Sequence, residues 1–420
     1  MIEIKSEGIH NGCISIPGSK SYTHRALVAA ALSDGRCRID NPLKSEDTRL
    51  TAETLRSWGL KIDNADSEYI VHGVGGRFSP FTAPVDLKNS GTTMRLLAAA
   101  AALGQGRYVL TGSGRMQQRP MNDLIDALVQ VGVDATSLTG NGCPPVMVTG
   151  GTLRGGRVQI DCHISSQYLS GLLLVAPLAT LGMDIYVSAG PVSTPYIDMT
   201  LAVMRAFGIR VEQDGYHRFQ IGGGQMYRAI DFSIEPDASN AGYFWAAAAI
   251  TGRKIKVMGL DNDSCQGDIG FVDVLARMGC TISRDPDGIA VTGGSLKGVD
   301  VDMSRMPDLV PTLAVVAAFA NGRTHIRNVS HLKAKECDRL TAITTELRKM
   351  GIQADSDADS LIVAGGKVHG ADIHTYDDHR IAMSFAVAGL RVQGVNIRNE
   401  QCVAKSFPGF WETFGGLYEK

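Results

Sequence analysis

The chain is built by repetition. In 420 residues, a helical apolar pattern that closes on glycine recurs six times, at Gly59, Gly132, Gly208, Gly279, Gly351 and, in degenerate form, Gly415. The intervals are 73, 76, 71, 72 and 64 residues. Self-similarity at a near-constant period means one supersecondary unit used again and again, and a glycine just past a helix is the usual left-handed stop. Each unit carries an earlier, Ala-rich helix, expected over 26–32, 94–103, 169–181, 241–250, 311–320 and 381–390. A short strand such as Tyr108-Val109-Leu110 or Ile255-Lys256-Val257 separates the two helices, and β-rich sequence follows the second. Each unit therefore reads β-α-β-α-β-β. The small-residue first helices are expected to be buried on several faces, and the more charged second helices, such as 338–349, half-exposed.

Six such units do not fit one doubly wound sheet without repeated crossovers. Two α/β domains of three units are expected: 15–230 for repeats 1–3, and 1–14 with 231–420 for repeats 4–6, with a hinge near 12–18 and 226–237. A length of 420 agrees with two or three domains. Lys+Arg 41 against Asp+Glu 43 leaves a net charge of −2, which does not describe a nucleic-acid or membrane-surface binder. No apolar run is long enough to span a bilayer. Met1 to Lys5 alternates like a strand and lacks the form of a secretory signal, so a cytoplasmic protein is expected. The eight cysteines contain no C-x-x-C pair, so neither a disulfide framework nor a zinc site is expected. Most should be small buried hydrophobes.

Residues at the helix starts carry the chemistry. They are Gly18-Ser19-Lys20-Ser21-Tyr22-Thr23-His24-Arg25, Asn89-Ser90-Gly91-Thr92-Thr93-Met94-Arg95, Ser165-Ser166-Gln167, Asp237-Ala238-Ser239-Asn240, Met306-Pro307-Asp308 and Asp377-Asp378-His379-Arg380. Capping accounts for the Ser, Thr, Asn and Asp. It does not account for Lys20, Arg25, Arg95 and Arg380, because a cation at a helix N-terminus opposes the macrodipole. Exposed N–H groups, the positive helix end and a nearby cation together make an anion site. The second helices add Arg119-Pro120, Lys335-Glu336-Cys337-Asp338-Arg339 and Lys405. Eight cations at equivalent repeat positions in a near-neutral chain point to one or two small, multiply charged anions held between two domains. No complete P-loop, dinucleotide fingerprint, zincin or serine-hydrolase motif is present, and neither a cofactor nor a metal is expected.

The whole set resembles the 5-enolpyruvylshikimate-3-phosphate (EPSP) synthase family. It comprises Ile16-Pro17-Gly18-Ser19-Lys20-Ser21 with Arg25, Asn89-Ser90-Gly91-Thr92 with Arg95, Arg119-Pro120, Ser165-Ser166-Gln167, Lys335-Glu336 with Asp338-Arg339-Leu340, Asp378-His379-Arg380 and Ala404-Lys405, in order along the chain. The resemblance implies an enolpyruvyl transferase fold. That fold is a two-domain inside-out α/β barrel, three repeats per domain, with buried helices, outer sheets and ligands in the interdomain cleft. It implies transfer of the enolpyruvyl group of phosphoenolpyruvate to the 5-hydroxyl of shikimate 3-phosphate, through a tetrahedral intermediate, by a monomer whose partners are these two small molecules. Asp308 is then the base at the 5-hydroxyl and Glu336 the acid that protonates the methylene carbon, with Lys20 a further proton-transfer candidate. Shikimate 3-phosphate contacts are implied for Lys20, Ser21, Arg25, Ser165, Ser166, Gln167, Ser193, Tyr196, Asp308 and Lys335. Phosphoenolpyruvate contacts are implied for Lys20, Gly91, Arg119, Gln167, Lys335, Arg339, Arg380 and Lys405. A side chain at Gly91 would intrude on the phosphoenolpyruvate pocket, where glyphosate also binds in the family.

Ser90 and Thr93 depart from the Ala of well-known bacterial members, and Leu96 from their Pro. These departures bear on the position of the helix that carries Gly91 and on glyphosate sensitivity. His331 lies near the position of a substrate-contacting Asn in some members and is left off the site. A UDP-N-acetylglucosamine enolpyruvyl transferase would carry a reactive Cys on the loop where this chain has Gly114 to Arg119 without one. A non-catalytic phosphate-ligand binder would use the same cations without Asp308 and Glu336.

Overall fold

The computed structural model describes residues 1–65 and 67–418. They form two compact units, one of residues 18–234 and one of residues 1–17 with 235–420.

Within residues 18–234 the repeat is plainest in its second copy. Val85–Asp86 runs parallel to Gly106–Thr111, joined across the Gly91–Ala101 helix, and the antiparallel pair Asp134–Ser137 and Val146–Gly150 completes the sheet. The last-made strand lies beside the second, so the strand order is first, second, fourth, third. The same order recurs with Gly156–Asp161, Met183–Ala189, Arg218–Ile221 and Glu212–Asp214, and in the other unit with Asp300–Asp302, Arg323–Arg327, Leu361–Ala364 and Gln353–Ser356. A parallel pair needs a crossover and an antiparallel pair only a turn, so one helix sits inside each parallel step and the closing hairpin needs none.

Repeats one and four exchange their first strands. Gly12–Ile14, which precedes the Lys20–Leu32 helix, pairs in parallel with Lys254–Met258 of repeat four. Asp231–Ser233, which precedes the Ala238–Thr251 helix, pairs in parallel with Asp34–Asp40 of repeat one. The division between units therefore falls after Pro17 and after Ile234. Residues 15–17 and 231–234 lie on the opposite side of it from the bounds drawn on the sequence. The sixth repeat is truncated: its sheet holds only Asp372–Ile373, Asn396–Ile397 and the N-terminal Ile2–Glu3. Its second helix is the short Phe410–Gly415. The five regular glycine stops have φ between 80° and 112°, whereas Gly415 lies within its helix.

Every residue of the Gly91–Ala101, Val310–Ala318 and His379–Gly389 helices is buried. A helix covered on all sides needs small residues rather than an apolar stripe. At Gly171, for instance, a Cβ would stand 3.0 Å from the Arg95 carbonyl oxygen and 3.1 Å from Ala99 Cβ. The first helices of repeats four, five and six pack on one another, and in the other unit Gly91–Ala101 packs on both Lys20–Leu32 and Gln167–Val175. Each unit thus has its first helices inside, over its own apolar core, while second helices such as Glu46–Ser57 and Asn122–Gln130 are buried on one side only.

The cysteines follow expectation only in part. Cys37, Cys162 and Cys280 are buried, but Cys13 and Cys265 are exposed and the other three lie between. Among the described residues no helix is long and apolar enough to cross a membrane.

Candidate active site

The central helices begin earlier than their apolar patterns, because the caps lie upstream. Ser19, Asp237 and Asp378 accept hydrogen bonds from the backbone N–H of Tyr22, Asn240 and Arg380. Lys20, Gly91, Gln167 and Arg339 are the first residues of their helices, where the helix dipole favours an anion.

In residues 18–234, Lys20 is buried with its Nζ 3.4 Å from Asp47, itself buried in the first turn of the Glu46–Ser57 helix. Arg25 lies one turn deeper and is 1% exposed. Its guanidinium donates to Thr200 Oγ1 at 2.7 Å, the Ser21 carbonyl at 3.0 Å, the Tyr196 carbonyl at 3.0 Å and Ser170 Oγ at 3.2 Å. All four partners are neutral. Burial pulls the Arg25 pKa down to about 10, against the opposing pull of Tyr196 and Tyr22, so it remains a cation at neutral pH.

A second cluster surrounds Gly91. Arg95 donates to Gln167 Oε1 at 3.1 Å and to the Pro120 carbonyl at 3.4 Å, and Gln167 Nε2 donates to Thr92 Oγ1 at 2.9 Å. Arg119 is held by the backbone and side-chain oxygens of Asn89 at 3.1 and 3.2 Å. A Cβ on Gly91 would fall 2.5 Å from a guanidinium nitrogen of each arginine. Bare backbone at a helix start thus faces two guanidiniums. Ser165 Oγ accepts from the Gln167 N–H at 3.3 Å, and the buried Ser166 Oγ reaches the Ser193 carbonyl at 3.4 Å. Ser193 takes a left-handed backbone, φ 56°, which is uncommon for a residue with a side chain and marks a tightly specified turn.

In residues 235–420 the partners are carboxylates. Asp308 bridges Arg339 Nη1 and Arg380 Nη2, 3.0 Å from each. Arg339 also meets Glu336 at 3.0 Å and Asp378 at 2.8 Å. Asp378 is wholly buried and caps the His379–Gly389 helix through the Arg380 N–H at 2.8 Å. Arg380 further donates to the Tyr243 hydroxyl at 3.0 Å. Burial works against both cations. For Arg339, the carboxylates Asp378, Glu336 and Asp308 outweigh it; for Arg380, Tyr243, Asp308 and Asp237 do. Both stay well above the ordinary arginine value. Lys405 is buried at the end of the Glu400–Lys405 turn, and Lys335 is half-buried just before Glu336. His331 is buried, and desolvation with Lys335 pushes it down to about 3, so it stands as neutral imidazole. Among the described residues no group of three His, Cys, Asp or Glu is placed to hold a metal ion.

Sequence reasoning missed the residues that hold these cations in place. Asp378 stood in a quoted motif but reads as a cap, and Asp47 follows the Ser45 capping box without other signal. Thr200, Ser170 and Tyr243 carry no signal in the sequence, since only the packing of distant segments brings them to an arginine.

Two units of three like repeats present guanidiniums near helix starts, held by neutral acceptors in one unit and by carboxylates in the other. These features define an α/β protein built to handle small polyanions. Over residues 5–414 the chain matches the family model described as EPSP synthase (3-phosphoshikimate 1-carboxyvinyltransferase). It is 44% identical over 418 residues to the 3-phosphoshikimate 1-carboxyvinyltransferase of Methanoculleus marisnigri, covering 99% of each chain. Identity is also 44% over 407 residues to that of Syntrophobacter fumaroxidans, covering 96% of each. A solved structure of EPSP synthase from Acinetobacter baumannii aligns with a TM-score of 0.83 at 29% identity, over 99% of this chain and 97% of that one. The chain belongs to the EPSP synthase family.

Proposed function

We propose that the protein transfers the enolpyruvyl group of phosphoenolpyruvate to the 5-hydroxyl of shikimate 3-phosphate, releasing phosphate, as a cytoplasmic monomer of the shikimate pathway. The observation that carries this reading is the cluster of Asp308, Arg339 and Glu336, in which two carboxyls share one buried guanidinium. Carboxyls set among the cations supply together what addition to an enol phosphate needs, a base, an acid and charge neutralisation.

In this reading Asp308 takes the proton of the 5-hydroxyl as its oxygen bonds to the central carbon of phosphoenolpyruvate, and Glu336 delivers a proton to the methylene carbon. The tetrahedral intermediate then loses phosphate as the methyl carbon so formed gives a proton back to Glu336, which restores the double bond. Arg339 and Arg380 occupy Asp308 until donor anions claim them, so donor binding frees the base. Arg119, Gly91, Gln167, Lys335 and Lys405 are read as further donor contacts. Ser21, Arg25, Ser165, Ser166, Ser193 and Tyr196 are read as acceptor contacts, with Lys20 serving both. In family terms, the runner-up acceptor is UDP-N-acetylglucosamine. Nothing in the helix-start residues favours it.

The test is phosphate release from phosphoenolpyruvate. Release that requires shikimate 3-phosphate, and is not supported by UDP-N-acetylglucosamine, is the expected result. Purified protein that binds both substrates and releases none would overturn the reading.

A further inference from the structure

One buried carboxyl near this cluster has no part in the mechanism above. Asp268 lies in the short turn Gly267–Gly270, which packs on the Ala238–Thr251 helix, and is 6% exposed. The turn is fixed by Gln266, whose amide donates to the Pro236 carbonyl at 2.7 Å and accepts from the Ala238 N–H at 3.0 Å. A Cβ on Gly270 would stand 3.3 Å from Met306 Sδ, so the turn sits against the segment leading into Asp308. Asp268 Oδ2 accepts from Ser239 Oγ, while Oδ1 has no hydrogen-bond partner and no cation pairs with the carboxyl among the described residues. A buried carboxylate is ordinarily stabilised by two or three donors or a close cation. Asp268 has one hydroxyl.

We propose that Asp268 is a positioning residue that must hold a proton for Arg380 to be fully available to the anionic groups of the donor. The inference rests on the function proposed above. Ser239, at the start of the Ala238–Thr251 helix, bonds Asp268, and the charges of Asp308 from the Pro307–Leu309 turn, Asp237 before the Ala238–Thr251 helix and Arg380 from the His379–Gly389 helix act on it. Arg380 already answers to Asp308 and Asp237. A further negative charge at Asp268 would divide its field again and repel an incoming phosphate or carboxylate. Burial first, and then the charge of Asp308, pushes the Asp268 carboxyl up to about 7, with Ser239 and Arg380 pulling the other way and Asp237 adding to the rise.

The sign follows from linkage. A donor anion prefers the protonated form, so its KM rises as pH climbs through the pKa of Asp268. Between about pH 6.5 and about pH 8.5 the KM for phosphoenolpyruvate is expected to rise roughly tenfold in the native protein. In Asp268→Asn, which cannot ionise, that rise is lost. In Ser239→Ala, which removes the hydroxyl that favours the charged form, it moves to higher pH. Parallel pH profiles in all three proteins would overturn the proposal. Infrared difference spectra of ligand-free native protein against Asp268→Asn give a reading independent of turnover: a protonated-carboxyl band present at about pH 6 and gone at about pH 9. Absence of that band at the lower pH would also overturn it. Native protein that shows the band but no turnover would instead defeat the proposed function, and with it the role of Asp268 in donor capture.

Discussion

Gly91 shows what one hydrogen atom can decide. The atoms a methyl group would meet are the ends of two arginine side chains, with Arg119 Cζ at 2.8 Å, rather than backbone. The guanidiniums can move aside, and alanine is intrinsically better than glycine in a helix by about 1 kcal/mol. Gly91→Ala should therefore keep its stability within about 1 kcal/mol of the native protein and lose donor affinity. The KM for phosphoenolpyruvate is expected to rise about tenfold or more, equivalent to about 1.4 kcal/mol. Steady-state kinetics beside a urea melt will separate the two effects. A large stability loss with an unchanged KM would place the strain in the fold instead. At this scale the charged residues of the site were legible, because cations at helix starts contradict the dipole and ask for an anion. Their supports were not: Asp378, Asp268 and Thr200 look like any cap or loop residue until tertiary packing removes their water.

The start of the Gly91–Ala101 helix is tied down by hydroxyls rather than by a side-chain cap. Ser90 Oγ lies 2.7 Å from Thr93 Oγ1, which lies 2.9 Å from Thr51 Oγ1, which lies 2.8 Å from His24 Nδ1. Thr93 Oγ1 also reaches the Asp47 carbonyl at 3.2 Å. All four residues are buried, and the chain joins the first two helices of repeat one to the first helix of repeat two. The departures at Ser90 and Thr93 thus belong to one polar network, and each accounts for the other. Thr93→Val keeps the shape and removes the hydroxyl that Ser90 and Thr51 share, leaving Thr51 only its bond to His24. A loss of about 1–3 kcal/mol in unfolding free energy is expected, checked by denaturant titration. A change within error would show that the network rearranges without Thr93. Leu96 is buried in the same helix. The helices themselves were legible from Ala-rich runs and glycine stops, but their first turns were not, since caps lie outside the apolar pattern.

Across the whole molecule, each unit has its own core, and the chain passes between units twice, after Pro17 and after Ile234. The fragment 18–234 should fold alone, melting in one cooperative transition and gaining thermal stability from shikimate 3-phosphate. A fragment ending at residue 230 lacks Asp231–Ser233 and strips the partner from Asp34–Asp40, so it should melt at lower temperature. Calorimetry on both fragments checks this, and equal melting temperatures would show that the exchanged strand carries no stability. The sixfold period was legible because it is written in every copy. The strand exchange was not, because strands of three residues say nothing about which distant edge they will join.

The sheet of the sixth repeat also sets an order of events on the ribosome. Ile2–Glu3 pairs with Asn396–Ile397, so this strand waits for about 390 further residues before its partner is made. At 5–20 residues per second the delay is roughly 20–80 s. Residues 18–234 contain every strand of their own sheets and can close while synthesis continues. The other unit cannot, and a nascent chain stalled late in translation would carry one finished body and one with an open edge. Incomplete synthesis would then leave the Ile2–Glu3 strand without its partner.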